Sequence, residues 1–299
     1  MDRWQAMRIF AKVAETGSFA AAGRQLGLSP PAVTRAVAAL EATTGTRLLT
    51  RTTRLVRLTE AGGRYVEDCR RILADIDEAE AAAAGAYATP TGTLSVTASV
   101  LFGEIYVLPI LTEYLDRHPA VSLRGLFLDR VVNIVEEGID VAIRIGHLPD
   151  SGMAALRVGT VRRVVCGAPA YFARHGIPTH PGELVRHRII APIGASASPE
   201  WRFGPGAPRG VTVQPRLSCN TNAAAIAAAL AGFGITRLLS YQVAGLLAEG
   251  RLQRILAEFE EPPLPIHVIH PEGRRAAARV RSFVDLAVER LRANPLLQV

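Results

Sequence analysis

Cysteine is scarce in this 299-residue chain: Cys69, Cys166 and Cys219 stand far apart and outside any CxxC or Cys/His pattern. This spacing excludes a disulfide framework and the usual zinc sites. Buried, reduced thiols are one interpretation. A redox pair of Cys166 and Cys219 is another, because thiol reactivity depends on an accessible, electropositive setting that a sequence does not reveal.

Long hydrophobic runs are also missing. No stretch of about 18 apolar residues occurs, and the first residues lack the apolar segment of a signal peptide, so we expect a cytoplasmic protein with no membrane partner. The composition, 49% hydrophobic and 20% charged, is typical of a globular chain. Its length suits two or three domains.

Signatures of catalysis are absent as well. The chain has no GxSxG, HExxH or Walker motif and no GxGxxG after a strand-like segment. Its seven histidines lie mostly beside prolines or in loop-like segments, which favours surface roles over metal ligation. The sequence therefore predicts neither an enzyme nor a cofactor or metal site.

Basic residues, in contrast, concentrate at one end. Residues 1–64 hold ten Lys or Arg and four Asp or Glu, so this segment carries a formal charge of +6 out of the total of +7. Such a local excess indicates a polyanionic partner for the first segment and a different role for the rest.

Two helices joined by a tight turn are predicted within SFAAAGRQLGLSPPAVTRAVAALE, residues 18–41. Pro30 and Pro31 are tolerated only in a first helical turn, Ser29 suits an N-cap whose hydroxyl accepts from an early N–H, and Gly27 suits the end of the preceding helix. Trp4, Met7, Phe10 and Val13 indicate a third helix ahead of these two.

The second of these helices has one face of small residues, Pro31, Thr34 and Ala38, with Arg35 among them. Such a face can lie close against another molecule, or it is a solvated surface. The segment GTRLLTRTTRLVRLTEAG, residues 45–62, then predicts a hairpin with arginines at and beside its tip. A basic hairpin beside a helix of this kind favours DNA, with the hairpin over the phosphate backbone or a minor groove.

A long helix is predicted from the cap residue Thr59 to about Ala86. Its narrow apolar stripe consists of Val66, Cys69, Leu73, Ile76, Ala79 and Ala83. Pairing with a second copy of the chain is one interpretation of the stripe, and packing against the same chain is the alternative.

Strands and helices alternate after Pro90 and Gly92, which indicates an α/β region with mainly parallel sheets in two lobes. NIVEEG, residues 133–138, is predicted as a short helix. The last strand and helix need a sheet to join, so we expect the chain to return to lobe one. We assign lobe one to 91–161 and 267–299, and lobe two to 162–266.

Polar residues at predicted helix starts suggest a ligand site. Ser99, Thr221 and Asn222 suit a carboxylate at helix N-termini, and Arg144 adds a charged donor. Ordinary capping, with Arg144 paired to a nearby carboxylate, is the alternative.

The segment FAAAGRQLGLSPPAVTRAVAALEATTGTRLLTRTTRLVRLTEAG and the weaker EEGIDVAIRIG and AALAGFGI resemble the LysR-type transcriptional regulators. The resemblance implies a winged helix-turn-helix at 1–58, a subunit-pairing linker helix at 59–87 and a two-lobed α/β effector domain at 91–299, similar to periplasmic solute-binding proteins. It also implies double-stranded operator DNA and a small-molecule effector as partners, and homodimers that assemble into tetramers. The implied DNA-binding residues are Ser29, Pro30, Pro31, Thr34, Arg35, Arg51, Thr52 and Arg54. The implied effector-binding residues are Thr97, Ser99, Val100, Leu101, Arg144, Gly146, Thr221 and Asn222.

Arg35 suits a bidentate pair with guanine or a phosphate contact, and the sequence does not separate the two. We expect the effector to be a small anionic metabolite held between the lobes. The competing function is a cytoplasmic small-molecule sensor without specific DNA readout, which the basic first 64 residues oppose.

Overall fold

The computed structural model describes residues 2–51, 56–83, 89–130, 132–148, 153–192, 200–206, 210–270 and 276–298. Three helices, a hairpin and a long fourth helix form the first part of the chain. The elements are α1 (Arg3–Thr16), α2 (Phe19–Leu26), α3 (Pro30–Thr44), β1 (Leu49–Arg51), β2 (Val56–Leu58) and α4 (Glu60–Ala83). Two compact units divide the chain between Thr93 and Leu94, with Ala277–Arg279 grouped with the first.

The tight turn between α2 and α3 follows the prediction in its backbone but not in its capping side chain. Gly27 has φ +66°, which glycine adopts without strain, and α3 begins with Pro30 and Pro31. The Ser29 hydroxyl makes no capping bond, so that detail of the prediction is wrong. The Ser29 backbone carbonyl instead accepts from the N–H groups of Ala32 and Val33, because the two prolines have none to offer.

The core of unit one is formed by inward faces of α1, α3 and α4. Its buried members include Ile9, Phe10, Val13, Ala22, Val33, Val37, Leu40, Leu48, Val66 and Cys69. Met7, Phe10 and Val13 of the predicted first helix are buried in this core, whereas Trp4 on the same helix is half-exposed. Glu41 ties α3 to the hairpin, since its Oε1 accepts from the N–H groups of Leu48 and Leu49 at 2.8 and 3.0 Å.

Helix α4 begins as predicted, with the Thr59 hydroxyl accepting from the Gly62 N–H at 2.9 Å. The described helix ends at Ala83, and the rest of the predicted linker span, residues 84–87, lies outside the described residues. Val66, Cys69 and Leu73, the first half of the apolar stripe, are buried in the core of unit one. For these three residues the alternative of packing against the same chain is therefore correct.

Unit two contains two five-stranded sheets. The first has the order β4 (Val121–Phe127), β3 (Gly92–Ala98), β5 (Val141–Ile145), β14 (Leu264–His270), β6 (Ala154–Val161). The second has the order β11 (Pro215–Cys219), β8 (Ile189–Pro192), β12 (Ile235–Leu239), β7 (Arg163–Gly167), β13 (Gln253–Ile255). A two-stranded ribbon pairs β9 (Glu200–Arg202) with β10 (Gly210–Thr212).

Helices connect these strands in an α/β pattern, which confirms the predicted fold class. They are α5 (Val100–Phe102), a π-helical turn (Gly103–Val107), α6 (Leu108–Arg117), α7 (Pro169–His175), α8 (Asn222–Leu230), α9 (Ser240–Ala248) and α10 (Ala278–Arg292). Short 3-10 segments cover Pro181–Arg186, Ala257–Phe259 and Pro295–Leu297. Residues 133–138 form turns rather than the predicted helix. The Asn133 side chain accepts from the N–H groups of Val135 and Glu136 as a helix cap does, but Gly138, with φ +62°, ends the segment after a single turn.

The sheets are mixed, so the expectation of mainly parallel sheets is wrong. β3 pairs with β5, and β8 pairs with β11 and β12, in parallel. β14 runs antiparallel to β5 and β6, and β7 runs antiparallel to β12 and β13. The first sheet lies in lobe one and the second in lobe two. β14 enters the first sheet from lobe two, and β7 enters the second sheet from lobe one. They start at the inter-lobe side and run away from it, whereas the strands beside them run toward it.

Backbone hydrogen bonds fix both chain crossings. At the first, between β6 and β7, the Ser240 N–H donates to the Arg162 carbonyl at 2.8 Å. At the second, the Gly146 N–H donates to the Pro265 carbonyl at 2.8 Å. The return strand begins at Leu264, as the segment LPIHVIHP predicts, so the lobe boundary assigned at residue 267 falls within this strand.

Gly62 and Gly63 make a matched pair for testing the packing of α4 on the hairpin. A Cβ at Gly62 would collide with the Leu48 carbonyl oxygen, whereas a Cβ at Gly63 meets nothing within 4 Å. We expect Gly62→Ala to destabilise unit one by about 1–3 kcal/mol, and Gly63→Ala to stabilise it by about 0.5–1 kcal/mol through helix propensity. Urea unfolding followed by Trp4 fluorescence in a Trp201→Phe background measures both; equal effects of the two substitutions would contradict the close approach.

Candidate DNA-binding surface and effector site

Helix α3 has two clearly different faces. Val33, Ala36, Val37 and Leu40 are buried, which fixes the rotation of the helix about its axis. The predicted contact residues lie on the other side: Ser29, Pro30, Pro31 and Arg35 are exposed, and Thr34 is half-buried. The described structure thus brings five predicted residues together on one outward surface, which we call the α3 face.

The predicted contacts of the hairpin fall mostly outside the described residues. Thr52 and Arg54 lie there, as does the side chain of Arg51, although the Arg51 backbone pairs with Val56. Arg57 on β2 is exposed and stands opposite Thr50 in the ladder. The sequence prediction did not select Arg57, although its place in the charge count and its period-two spacing within the strand gave a usable signal.

In lobe one, protein groups already occupy the predicted anion site. The Val100 N–H at the start of α5 donates to the Asp129 carboxylate at 3.1 Å. Ser99 makes no capping bond, and its side chain is hydrogen-bonded to Tyr241. Thr97 is fully buried and donates to the Leu126 carbonyl at 2.7 Å, while Val100 and Leu101 are half-buried. A carboxylate at this helix start would therefore have to displace Asp129.

In lobe two, Thr221 caps a helix, which is the alternative to a ligand-binding role that the sequence left open. Its hydroxyl accepts from the Ala224 N–H at 3.2 Å, and Asn222 is the first residue of α8. Thr221 is exposed and Asn222 half-buried. With its hydroxyl lone pair directed at its own helix, Thr221 keeps its hydroxyl proton as a donor for a ligand.

Arg144 is the predicted residue with a spare charged donor. Its Nη2 atom is buried and has no hydrogen-bond partner among the described residues. Burial lowers the pKa of the Arg144 guanidinium, which the charge of Glu137 partly offsets. Glu137 is itself held by Arg130 in a two-bond pair, both at 2.8 Å. Gly146, two residues beyond Arg144, has φ +119° and lies at the second crossing.

Tyr241 is a contact between the lobes that sequence reasoning missed. It opens α9 in lobe two, and its ring packs edge-on against Phe102 and Tyr106 of lobe one, at 5.3 and 5.8 Å between centroids. Its hydroxyl meets Ser99 and accepts from Gln242 Nε2 at 3.3 Å. Burial raises the pKa of Tyr241 to about 12, so it stays a neutral phenol. No local pattern around a tyrosine at the start of a helix signals such a role.

The cysteines do not support a redox pair. Cys166 lies on β7 and Cys219 on β11, with β12 and β8 between them, so three inter-strand steps place them about 14 Å apart. A disulfide requires Cα atoms within about 7 Å. Burial also raises the pKa of Cys166 to about 12 and that of Cys69 to about 11, which disfavours the thiolate.

Metal-binding clusters and membrane-spanning helices do not occur among the described residues. These residues contain no group of three or more His, Cys, Asp or Glu side chains placed to hold a metal ion. None of the helices described is both long and apolar enough to span a membrane.

Comparison with known proteins identifies the family. The pattern of bacterial regulatory helix-turn-helix proteins of the lysR family matches residues 4–63, and that of the LysR substrate binding domain matches residues 88–292. An HTH-type transcriptional repressor of Pseudomonas aeruginosa is 35% identical over 302 residues, covering 100% of this chain and 95% of the relative. The HTH-type transcriptional activator AaeR of Escherichia coli is 30% identical over 289 residues, covering 95% and 93%.

The solved structure of CrgA, a LysR-type transcriptional regulator from Neisseria meningitidis, superimposes with a TM-score of 0.63 at 30% identity, over 97% of this chain and 99% of that one. The full-length structure of AphB, a virulence activator of Vibrio cholerae, gives a TM-score of 0.59 at 23% identity, over 95% of this chain and 98% of that one, and supports the fold alone. Between the two matched patterns lie residues 64–87, which include most of α4. This chain belongs to the LysR family of bacterial DNA-binding transcriptional regulators.

Proposed function

We propose that the α3 face reads one operator sequence and that a small anionic metabolite bound between the lobes of unit two modulates this binding. The observation that carries the DNA proposal is the division of α3 into a fully buried face and an outward face of small residues around Arg35. A helix with so little side-chain bulk on its outer face fits into a major groove. Binding to the chromosome requires a cytoplasmic location.

Phosphate attraction supplies the affinity in this proposal. The formal charge of +6 over residues 1–64 favours association of this segment with the phosphate backbone of duplex DNA. The hairpin arginines Arg51 and Arg54, with Thr52, contact the backbone or minor groove. Arg57, exposed on β2, adds to the same surface.

Pairing of two copies through α4 completes the proposed DNA-binding form. The first half of its apolar stripe is already buried in unit one, so the partner helix contacts the later part, at Ile76, Ala79 and Ala83. Two paired copies present two α3 faces, which suits an operator with two half-sites. Association of two such dimers gives the tetramer.

Arg144 anchors the effector in this proposal. Its buried Nη2 is a charged donor without a described partner, and a buried charge is stable only when it is paired. A carboxylate supplies the missing acceptor. Because Tyr241 joins the lobes beside Ser99, a ligand that binds one arrangement of the lobes better shifts the protein toward that arrangement.

Arg35→Ala tests the DNA-reading role. We expect a loss of about 1–3 kcal/mol in operator affinity with relaxed preference at one base pair if Arg35 pairs with guanine. If Arg35 contacts a phosphate instead, the affinity should fall equally for all sequences, and the slope of log affinity against log salt concentration should become shallower by about one. Gel shifts with operator and scrambled duplexes at several salt concentrations separate the two outcomes.

The matched control for that experiment is Arg71→Ala on α4. Arg71 is paired with Asp68 at 3.0 Å, and the substitution removes the same charge from the same unit. Equal losses in the Arg35 and Arg71 variants would mean that charge alone matters, and the proposed readout by α3 would be rejected.

Arg144→Gln tests the effector site. Calorimetric titration of the full-length protein with benzoate, succinate and inorganic phosphate should reveal a ligand whose affinity falls about tenfold or more in the variant, because a charge-assisted bond of about 1.5–3 kcal/mol is lost. Arg124→Gln on β4, an exposed arginine of the same lobe, is the control. Unchanged affinity in Arg144→Gln would place the anion elsewhere.

A further inference from the structure

Two arginines and one glutamate cluster where lobe two meets the chain crossings. Arg163 is the first residue of β7 and pairs with Leu239, while Arg237 on β12 pairs with Val165. Directly opposed residues of an antiparallel pair point to the same side, so both arginines project from one face of the sheet. Glu261 lies in the segment that precedes the return strand β14.

One carboxylate serves both guanidinium groups in this cluster. Glu261 Oε2 lies 3.4 Å from Arg163 Nη1 and 4.0 Å from Arg237 Nη1. The cluster therefore keeps a net positive charge, although the side chain of Arg237 is only 15% exposed. Burial and the nearby charge of Arg163 lower the pKa of Arg237 to about 10, against the opposing effect of Glu261. Buried charges are normally neutralised by a partner, and this one is neutralised only in part.

The surroundings hold Arg237 in place and supply an apolar wall. Arg237 Nη1 donates to the Arg202 carbonyl at 3.0 Å, and its Cζ lies 5.1 Å from the centroid of the Trp201 ring. Trp201 and Phe203 belong to the apolar cluster of lobe two. Arg163 is about one-third exposed, so a small molecule can reach the pair from its side.

We propose that Arg163 and Arg237 bind the carboxylate group of a small organic acid, alongside Glu261, at the inter-lobe end of lobe two. The ligand neutralises the excess positive charge, and its apolar part lies toward the Trp201 side of the cluster. This inference rests on the proposed regulation by a small anion and assigns the lobe-two residues that hold its charge. None of the three residues was selected from the sequence as an effector contact.

Two substitutions with opposite expected effects on carboxylate affinity test the proposed site. The full-length protein is titrated by calorimetry with benzoate, succinate and inorganic phosphate at constant ionic strength. Arg163→Gln should weaken carboxylate binding about tenfold or more, and Glu261→Gln should strengthen it, because the internal competitor for the guanidinium groups is removed. Arg216→Gln, an exposed arginine on β11 of the same lobe, should leave the affinity unchanged.

Arg163 is the primary variant because Arg237 also holds the Arg202 backbone, so that its removal disturbs the β9–β10 ribbon. Equal affinity of the unmodified, Arg163→Gln and Glu261→Gln proteins overturns the site, as does tighter binding of phosphate than of either carboxylate. A loss of carboxylate affinity in Arg144→Gln with no change in Arg163→Gln also overturns the site at Arg163 and Arg237, while the proposed regulation by a small anion stands. Binding of no probe overturns this site and leaves the DNA proposal to its own gel-shift test.

Discussion

The double crossing of the chain between two sheets is the constraint on which unit two depends. β6 leads directly into β7 through Arg162, and β14 returns the chain to the first sheet. The entering strands run away from the crossing and pair antiparallel with their neighbours, so those neighbours run toward it and their carboxyl ends converge there. Ser99, Gly146 and Ser240 all follow such ends. Ligand-binding groups in α/β folds gather at such convergent ends, which is why the proposed effector site lies beside the crossing.

Internal carboxylates control the charge at these converging ends. Asp129 accepts from the Val100 N–H at the start of α5, Glu137 is held by Arg130 near Arg144, and Glu261 lies between Arg163 and Arg237. Each of these positive sites is therefore partly compensated before any ligand arrives. In the proposed regulation, an anionic effector would gain only the difference between its own contacts and those it replaces, so its differential affinity for two lobe arrangements would decide how far it shifts their populations.

Local rules of backbone chemistry predicted unit one closely. The helix ends lie where the sequence predicts them, at Gly27, Pro30, Pro31 and Thr59, because a helix end depends on the backbone and capping properties of a few neighbouring residues. The Ser29 hydroxyl is the exception, because two prolines had already removed two of the N–H groups that need caps. The helix predicted at residues 133–138 is wrong for a different reason, since Gly138 with its positive φ ends the segment after the one turn that Asn133 caps.

Long-range contacts were beyond the reach of these rules. The strand directions of β7 and β14 depend on which lobe each strand enters, a property of topology rather than of composition. Tyr241 acquires its role by meeting Phe102 and Tyr106, which precede it by more than a hundred residues. Helix-start residues such as Ser99 and Thr221 were placed correctly on their elements. The Thr221 hydroxyl makes the capping bond that the sequence left open as an alternative, whereas the Ser99 side chain contacts Tyr241, which the sequence did not indicate.

The apolar stripe of α4 shows how a single pattern can serve two interfaces. Its first members, Val66, Cys69 and Leu73, lie on the face that the core of unit one buries, and their spacing at three and four residues continues to Ile76 and beyond. Periodicity alone cannot tell where the same-chain contact stops, because both kinds of packing require the same spacing. The core of unit one accounts for the first members of the stripe in a 24-residue helix, and the later members, Ile76, Ala79 and Ala83, are the ones that the proposed pairing assigns to a second copy.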